Sequence, residues 1–208
     1  MKYVVVLLMI VSAMSLNAQE KIKVACIGDS ITEGAGIEDG ERYPEQLQRL
    51  LGDGYEVRNY GIGGRTLLER GDFSYWQEEK YKEVLAWIPD IVIIELGTND
   101  SKPQNWIYED SFTEDYRAFI QSFKNLPGKR RIFICTPMPV FKDGGGITAG
   151  IVADEIMPAV KQVSKKEKVK LVDLYTAFIG RAELAPDGIH PNAEGAKLIA
   201  ENVFAVIK

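Results

Sequence analysis

The chain is poor in metal-binding and redox side chains: its one histidine is His190, and its two cysteines, Cys26 and Cys135, stand far apart. One imidazole and two separated thiols fall short of a usual zinc ligand set, so no metal and no other cofactor is expected. Positive charge is also scarce. Lysine and arginine total 25 against 30 acidic residues, a formal net charge of −5. That balance argues against a nucleic-acid or anionic-membrane partner. The short cluster Lys165-Lys166-Glu167-Lys168 reads as the solvated end of a helix. Internal repeats and low-complexity segments are absent too. What remains is 46% apolar and 26% charged residues in 208, the balance of one globular domain with a sizeable core.

Long apolar runs are confined to the first residues. Lys2 is a thin positive start, Val4 to Val11 are uncharged and apolar, and Leu16-Asn17-Ala18 puts a small residue at a cleavage position. From Val4 to Ala18 is about fifteen residues, short of the roughly 20 that span a bilayer. Residues 1–18 are therefore expected to be a signal peptide and 19–208 the domain, exported to the periplasm or beyond. No cysteine follows the apolar run directly, so no stable membrane anchor is expected in the mature form.

From Ile22 onward, β-rich apolar runs alternate with amphipathic stretches. Strands are expected at Ile22–Ile27, Tyr55–Tyr60, Asp90–Leu96, Arg131–Thr136 and Val169–Leu174. Ile91-Val92-Ile93-Ile94 and Ile132-Phe133-Ile134 are continuous apolar runs, the mark of strands covered on both faces. Helices are expected at Tyr43–Leu51, Ser74–Leu85, Phe112–Leu126, 149–166 and 193–207, the third opened by a Ser111/Glu114 capping box. The alternation reads as an α/β domain with a mostly parallel sheet, whose chemistry belongs in the loops at the carboxyl ends of the strands.

Those loops carry distinctive residues. Gly28-Asp29-Ser30 after the first strand sets a hydroxyl in a tight turn. Asn59-Tyr60-Gly61-Ile62-Gly63-Gly64 after the second gives a backbone able to approach a ligand; it lacks the full dinucleotide fingerprint. Gly97-Thr98-Asn99-Asp100 after the third offers a side-chain amide. Asp187-Gly188-Ile189-His190 sets a carboxylate three residues before the histidine, able to fix its tautomer, with Asn192 placed to cap the last helix. Each loop alone also fits ordinary turn and cap chemistry. Together they supply a nucleophile, oxyanion donors, a base and its orienter.

These blocks, from Gly28-Asp29-Ser30 to Asp187-x-x-His190, resemble the SGNH hydrolase superfamily, or GDSL-type esterases and lipases. The G-x-S-x-G elbow of the α/β-hydrolases is absent. The resemblance implies Ser30, Asp187 and His190 as catalytic residues, an oxyanion hole from Ser30, Gly64 and Asn99, and a structural role for Asp29. Ile31 stands where the motif has leucine. Arg65 stands where many relatives carry aspartate, and it reads equally as a loop-supporting salt bridge or a contact to substrate oxygens.

The resemblance further implies a three-layer α/β/α sandwich with a flavodoxin-like five-stranded parallel sheet of order 2-1-3-4-5. Strands one and four then lie about 9–10 Å apart, beyond the roughly 7 Å Cα separation a disulfide spans. Cys26 and Cys135 are therefore expected to be free, buried thiols.

For function, the resemblance to small exported carbohydrate acetylesterases implies a serine esterase that hydrolyses small acyl esters through an acyl-enzyme, foremost the O-deacetylation of a carbohydrate, with a small-molecule or glycan ester as substrate. The alternatives are a lysophospholipase, short-chain lipase or thioesterase, and a non-catalytic glycan-binding module. The chain has no long apolar insertion to form a lipid lid. Tyr75, Trp76, Trp106 and Tyr108 are candidates to stack on a sugar, with helix core as the competing reading for Tyr75 and Trp76.

Overall fold

The computed structural model describes residues 20–208. The expected leader, residues 1–18, lies outside them.

Five strands form one parallel sheet: β1 (Ile22–Gly28), β2 (Tyr55–Gly61), β3 (Ile91–Glu95), β4 (Arg131–Cys135) and β5 (Lys170–Val172). Their order is β2-β1-β3-β4-β5, as expected. The helices between them are α1 (Ser30–Glu33), α2 (Tyr43–Leu51), α3 (Glu79–Trp87), α4 (Pro103–Trp106), α5 (Glu109–Lys124), α6 (Ala149–Ile151), α7 (Met157–Glu167), α8 (Leu174–Phe178) and α9 (Ala193–Ile207).

The period of two along each strand sorts the core into two faces. Val24, Cys26, Ile91, Ile93, Phe133 and Cys135 pack with Tyr43 and Leu47 of α2 and Ile199 and Val203 of α9. Ala25, Ile27, Val92, Ile94, Ile132 and Ile134 pack on the other side with Val84 of α3, Phe112, Tyr116 and Phe119 of α5, and Val160 of α7. The result is three layers. Each large side chain buried this way contributes about 1.5–3 kcal/mol, which is why β1, β3 and β4 tolerate almost no polar residue. Glu95 is the exception among their buried positions; Lys23 and Arg131, at the starts of β1 and β4, lie outside the buried core.

Both cysteines are free and buried. Cys26 pairs in register with Ile93, and Ile93 with Phe133 of β4. Strand β3 thus separates the thiols, as the strand order requires.

Several boundaries differ from expectation, each for a local reason. The stretch Ser74–Leu85 is not one helix: a 3₁₀ turn, Tyr75–Gln77, is followed by α3, with Glu78 extended at φ −78° and ψ 145° between them. Helix α5 begins three residues before Phe112, so the Ser111/Glu114 capping box does not form. Tyr108 occupies the cap, Glu109 and Asp110 face the positive helix end, and Ser111 Oγ accepts instead from Arg70. The expected helix over 149–166 widens into a π turn at Val152–Ile156. Pro158 lacks an N–H and its ring would clash with the Asp154 carbonyl in a regular α-helix; the wider turn relieves this. Strand β5 is short, Lys170–Val172, because Asp173 caps α8 by accepting from the Thr176 N–H.

Candidate active site

All four expected loops meet at the carboxyl edge of the sheet. Strand β1 ends in Gly28, where a Cβ would lie 2.0 Å from Thr32 Oγ1 and 2.5 Å from the Glu95 carbonyl oxygen. Only glycine lets the chain turn that close to β3. Asp29 then caps α1, its Oδ1 accepting from the Ile31 N–H at 2.9 Å. The turn sets Ser30 at the first helical position, where a backbone N–H has no partner within its helix.

Ser30 Oγ lies 2.9 Å from His190 Nε2, and His190 Nδ1 lies 2.7 Å from Asp187 Oδ2. A carboxylate only accepts, so the ring proton sits on Nδ1 and Nε2 is left free to accept from the Ser30 hydroxyl. Asp187 Oδ1 also takes the N–H groups of Ile189 and His190, at 2.8 and 2.7 Å. Partial burial opposes ionisation of Asp187, yet the His190 ring and these two N–H groups hold its carboxyl at about 2. The aspartate is therefore charged at neutral pH. Asn192 accepts from the Gly195 N–H at 2.9 Å and caps α9, pinning the far end of this turn, as the sequence suggests.

Gly64 and Asn99 lie in the loops that follow β2 and β3. Gly64 has φ +80°, and a Cβ there would meet nothing within 4 Å. Glycine is needed for the backbone angle rather than for room. Asn99 follows β3 in a 3₁₀ turn, buried, and its Nδ2 donates to Asp29 Oδ2 at 3.1 Å. That bond uses one amide hydrogen and leaves the other for a ligand. The Gly64 loop is held to this turn by Asp100, whose carboxylate accepts from Leu67 N and Leu68 N at 3.0 and 2.7 Å. Burial pushes the Asp100 carboxyl up to about 7, while those two N–H groups pull the other way.

Beneath the turn that holds Ser30 lies a group that the sequence reading misses. Glu95 is 1% exposed and sits opposite Gly28 across the β1–β3 pair. Its Oε2 takes a long bond from Thr32 Oγ1, 3.3 Å, and its Oε1 has no partner. Burial, and then the neighbouring Asp29, drive its carboxyl well above the usual range. Asp29 itself is pushed up to about 6 by burial, against the pull of Ile31 N–H, His190 and Asn99. The available signal was a single acid closing the apolar run Ile91–Leu96.

Arg65 makes the salt bridge: Nε lies 2.9 Å from Glu78 Oε1, and Nη1 donates to the Gly63 carbonyl at 2.7 Å. The aromatic candidates fare differently. Tyr75 is fully buried, with its hydroxyl on the Tyr60 carbonyl, and Trp106 is 9% exposed, with its indole N–H on Glu155. The Trp76 N–H is spent on the Leu67 carbonyl, its ring packed edge-on to Phe119 at 5.0 Å. Tyr108 lies under the Arg70 guanidinium at 4.4 Å. Tyr75, Trp76 and Trp106 are thus taken up by packing and internal hydrogen bonds, the competing reading for the first two, while Tyr108 is half-buried beneath Arg70. The aromatic ring that does stand open is Phe73, 56% exposed.

With this geometry in place, the wider similarity is decisive. The sequence pattern of the GDSL-like lipase/acylhydrolase family matches residues 26–198. The chain belongs to that family. It is 41% identical over 210 residues to an acetylxylan esterase of Xylanibacter ruminicola, a match covering 91% of this chain and 44% of that one. The chain thus spans less than half the length of that relative. Among solved structures, an acetyl xylan esterase superposes with TM-score 0.74 at 22% identity, over 90% of this chain and 100% of that one. An acetylxylan esterase from Geobacillus stearothermophilus superposes with TM-score 0.68 at 26% identity, over 90% and 96%.

Proposed function

We propose that this GDSL-family protein is a serine esterase that removes acetyl groups from a carbohydrate. The observation that carries the reading is the relay Ser30–His190–Asp187, with contacts of 2.9 and 2.7 Å, in a chain 41% identical to an acetylxylan esterase.

In this reading Ser30 Oγ attacks the ester carbonyl while His190 Nε2 takes its proton, and ionised Asp187 stabilises the imidazolium. Negative charge gathers on the former carbonyl oxygen, where the N–H groups of Ser30 and Gly64 and the free Asn99 amide hydrogen stabilise it. Collapse of the tetrahedral intermediate returns the proton from His190 to the departing sugar hydroxyl. Water, deprotonated by the same histidine, then attacks the acyl-Ser30 ester and releases acetate. These steps draw on this chain's side chains, its backbone N–H groups and water.

Residues 1–18 serve, in the same reading, as an export leader, since an acetylated plant or microbial polysaccharide is met outside the cell. Among the described residues, no helix is long and apolar enough to cross a membrane.

A series of 4-nitrophenyl esters from acetyl to long acyl, run beside acetylated xylan with Ser30→Ala as control, tests the proposal. Ser30-dependent turnover that falls steeply beyond short acyl groups, together with acetate release from the glycan, supports it. Preference for long chains would make the protein a lipid esterase. Glycan binding without Ser30-dependent turnover would make it a binding module.

A further inference from the structure

We infer that Phe73, with Arg65 beside it, is a platform on which the sugar ring of the substrate stacks, next to the oxyanion loop. The inference rests on the carbohydrate reading above and names the part of the site that would recognise the sugar.

Position is the first argument. A Cβ on Gly63 would lie 3.7 Å from Ser30 Cβ, so the Gly63-Gly64 loop is a wall of the nucleophile's site. Arg65 is anchored to that wall through the Gly63 carbonyl, and its Cζ lies 5.7 Å from the Phe73 ring centroid. The ring and guanidinium thus continue the surface that begins at the oxyanion donors. Among the described residues, Arg65 Nη2 has no hydrogen-bond partner, while Nε and Nη1 are committed.

Rigidity is the second. A phenyl ring left 56% open on a loose loop would signify little, but this loop is fixed on both sides. The Phe73 carbonyl accepts from Thr66 N, and Tyr75 N donates to the Thr66 carbonyl, both at 3.0 Å. Asp72 accepts from Asn105 Nδ2 and Gln104 Nε2, both at 3.0 Å, and its own N–H donates to Asn105 Oδ1 at 2.9 Å. Asn105 in turn donates to the Asn99 carbonyl at 3.0 Å. One chain of hydrogen bonds therefore sets Phe73 relative to the residue proposed to bind the oxyanion. The Phe73 backbone and the Arg65 guanidinium are held before any ligand arrives, which reduces the ordering cost of binding.

Chemistry selects the ligand. An open ring flanked by an unspent guanidinium N–H matches a pyranose, whose axial C–H groups present an apolar face and whose equatorial hydroxyls line the edge. A hydrocarbon chain would cover the ring but offer that N–H no acceptor.

Two measurements test the inference. The first is kcat/KM of the full protein and Phe73→Ala on acetylated xylotriose, each normalised to 4-nitrophenyl acetate, with Phe73→Trp as the conservative variant. The normalised value should fall about tenfold in Phe73→Ala, the scale of one aromatic contact, through KM rather than kcat. Phe73→Trp should restore it. The second is affinity for unacetylated xylotriose and cellotriose by calorimetry, which reads the platform without turnover. Phe73→Ala should weaken binding by a similar factor.

If the wild type hydrolyses 4-nitrophenyl acetate but not acetylated xylotriose, the substrate reading fails, and calorimetry alone judges the platform. Unchanged affinity in Phe73→Ala, or no affinity of the wild type for either sugar, overturns it. So does an equal loss in Phe73→Ala on 4-nitrophenyl octanoate, which would make Phe73 part of an acyl pocket. A matching thermal melt for Phe73→Ala guards against a folding effect, and this exposed position should give one.

Discussion

The Asn99 side chain donates to Asp29 Oδ2 at 3.1 Å, so the residue before the proposed nucleophile aims the amide proposed to bind the oxyanion. Asp29 also caps the helix that starts at Ser30. One buried carboxylate therefore sets two parts of the site.

Asp29→Asn is the sharpest test of that coupling. An amide at position 29 turns Asn99 to present its oxygen, so a donor in the oxyanion hole becomes an acceptor. The expected result is a kcat about 10²–10³-fold lower with KM little changed, the scale of one lost oxyanion donor. Steady-state kinetics on 4-nitrophenyl acetate checks it; a kcat within threefold of wild type would mean the amide is held by something else.

Asp187→Asn removes the charge that fixes the His190 tautomer while keeping the side-chain size. Turnover should drop about 10³–10⁴-fold at neutral pH, as expected when the orienting carboxylate of such a relay is lost. The turn should survive, since the new side-chain oxygen can still accept the N–H groups of Ile189 and His190. Circular dichroism beside the kinetics separates the two effects.

The acids with shifted carboxyls predict how stability depends on pH. Asp187 and Glu167 are held at about 2, below the model-compound values of 3.8 and 4.5, so they stabilise the fold above those values and stop doing so as pH falls towards 2. Asp29 and Asp100 act in the opposite sense. Raised from 3.8 to about 6 and 7, they favour the fold at low pH and lose that contribution as pH rises from 3.8 through 6 and 7. Stability should therefore peak on the acidic side, at about pH 4. Glu95, which burial also raises, should make the advantage of Glu95→Gln over wild type grow as pH rises. Urea unfolding of both proteins from pH 4 to 9 checks this; parallel curves would show that Glu95 does not titrate in this way.

The cysteines should be silent in the native state. Burial pushes the Cys26 thiol up to about 12, and burial followed by the nearby Glu95 raises Cys135 beyond the ordinary thiol range. Iodoacetamide at pH 8 should label neither thiol in the folded protein and both after unfolding without reductant, read by intact mass. A disulfide appearing in the non-reduced protein would contradict the strand order.

Much of this was legible in the residues because local and global signals agree. The run Ile91–Ile94 can only be a strand covered on both faces, and the four loop motifs fall at strand ends that a parallel sheet must bring together. What escaped the reading depends on context that a sequence pattern does not carry. Trp76 and Tyr75 look like a sugar platform until Phe119 and the Tyr60 and Leu67 carbonyls are seen to occupy them. Phe73 looks like any loop residue until the hydrogen bonds through Asp72 and Asn105 fix it. The break at Glu78 and the π turn before Pro158 arise from packing and from one missing N–H, neither visible as periodicity.

The central claim is that Ser30 carries the acyl group, and acetate release from acetylated xylan by wild type and Ser30→Ala tests it most directly. Wild type should release acetate with turnover, and Ser30→Ala should be slower by about 10⁴-fold or more, as when the nucleophile of such a relay is removed. Release by Ser30→Ala within tenfold of wild type would contradict the account.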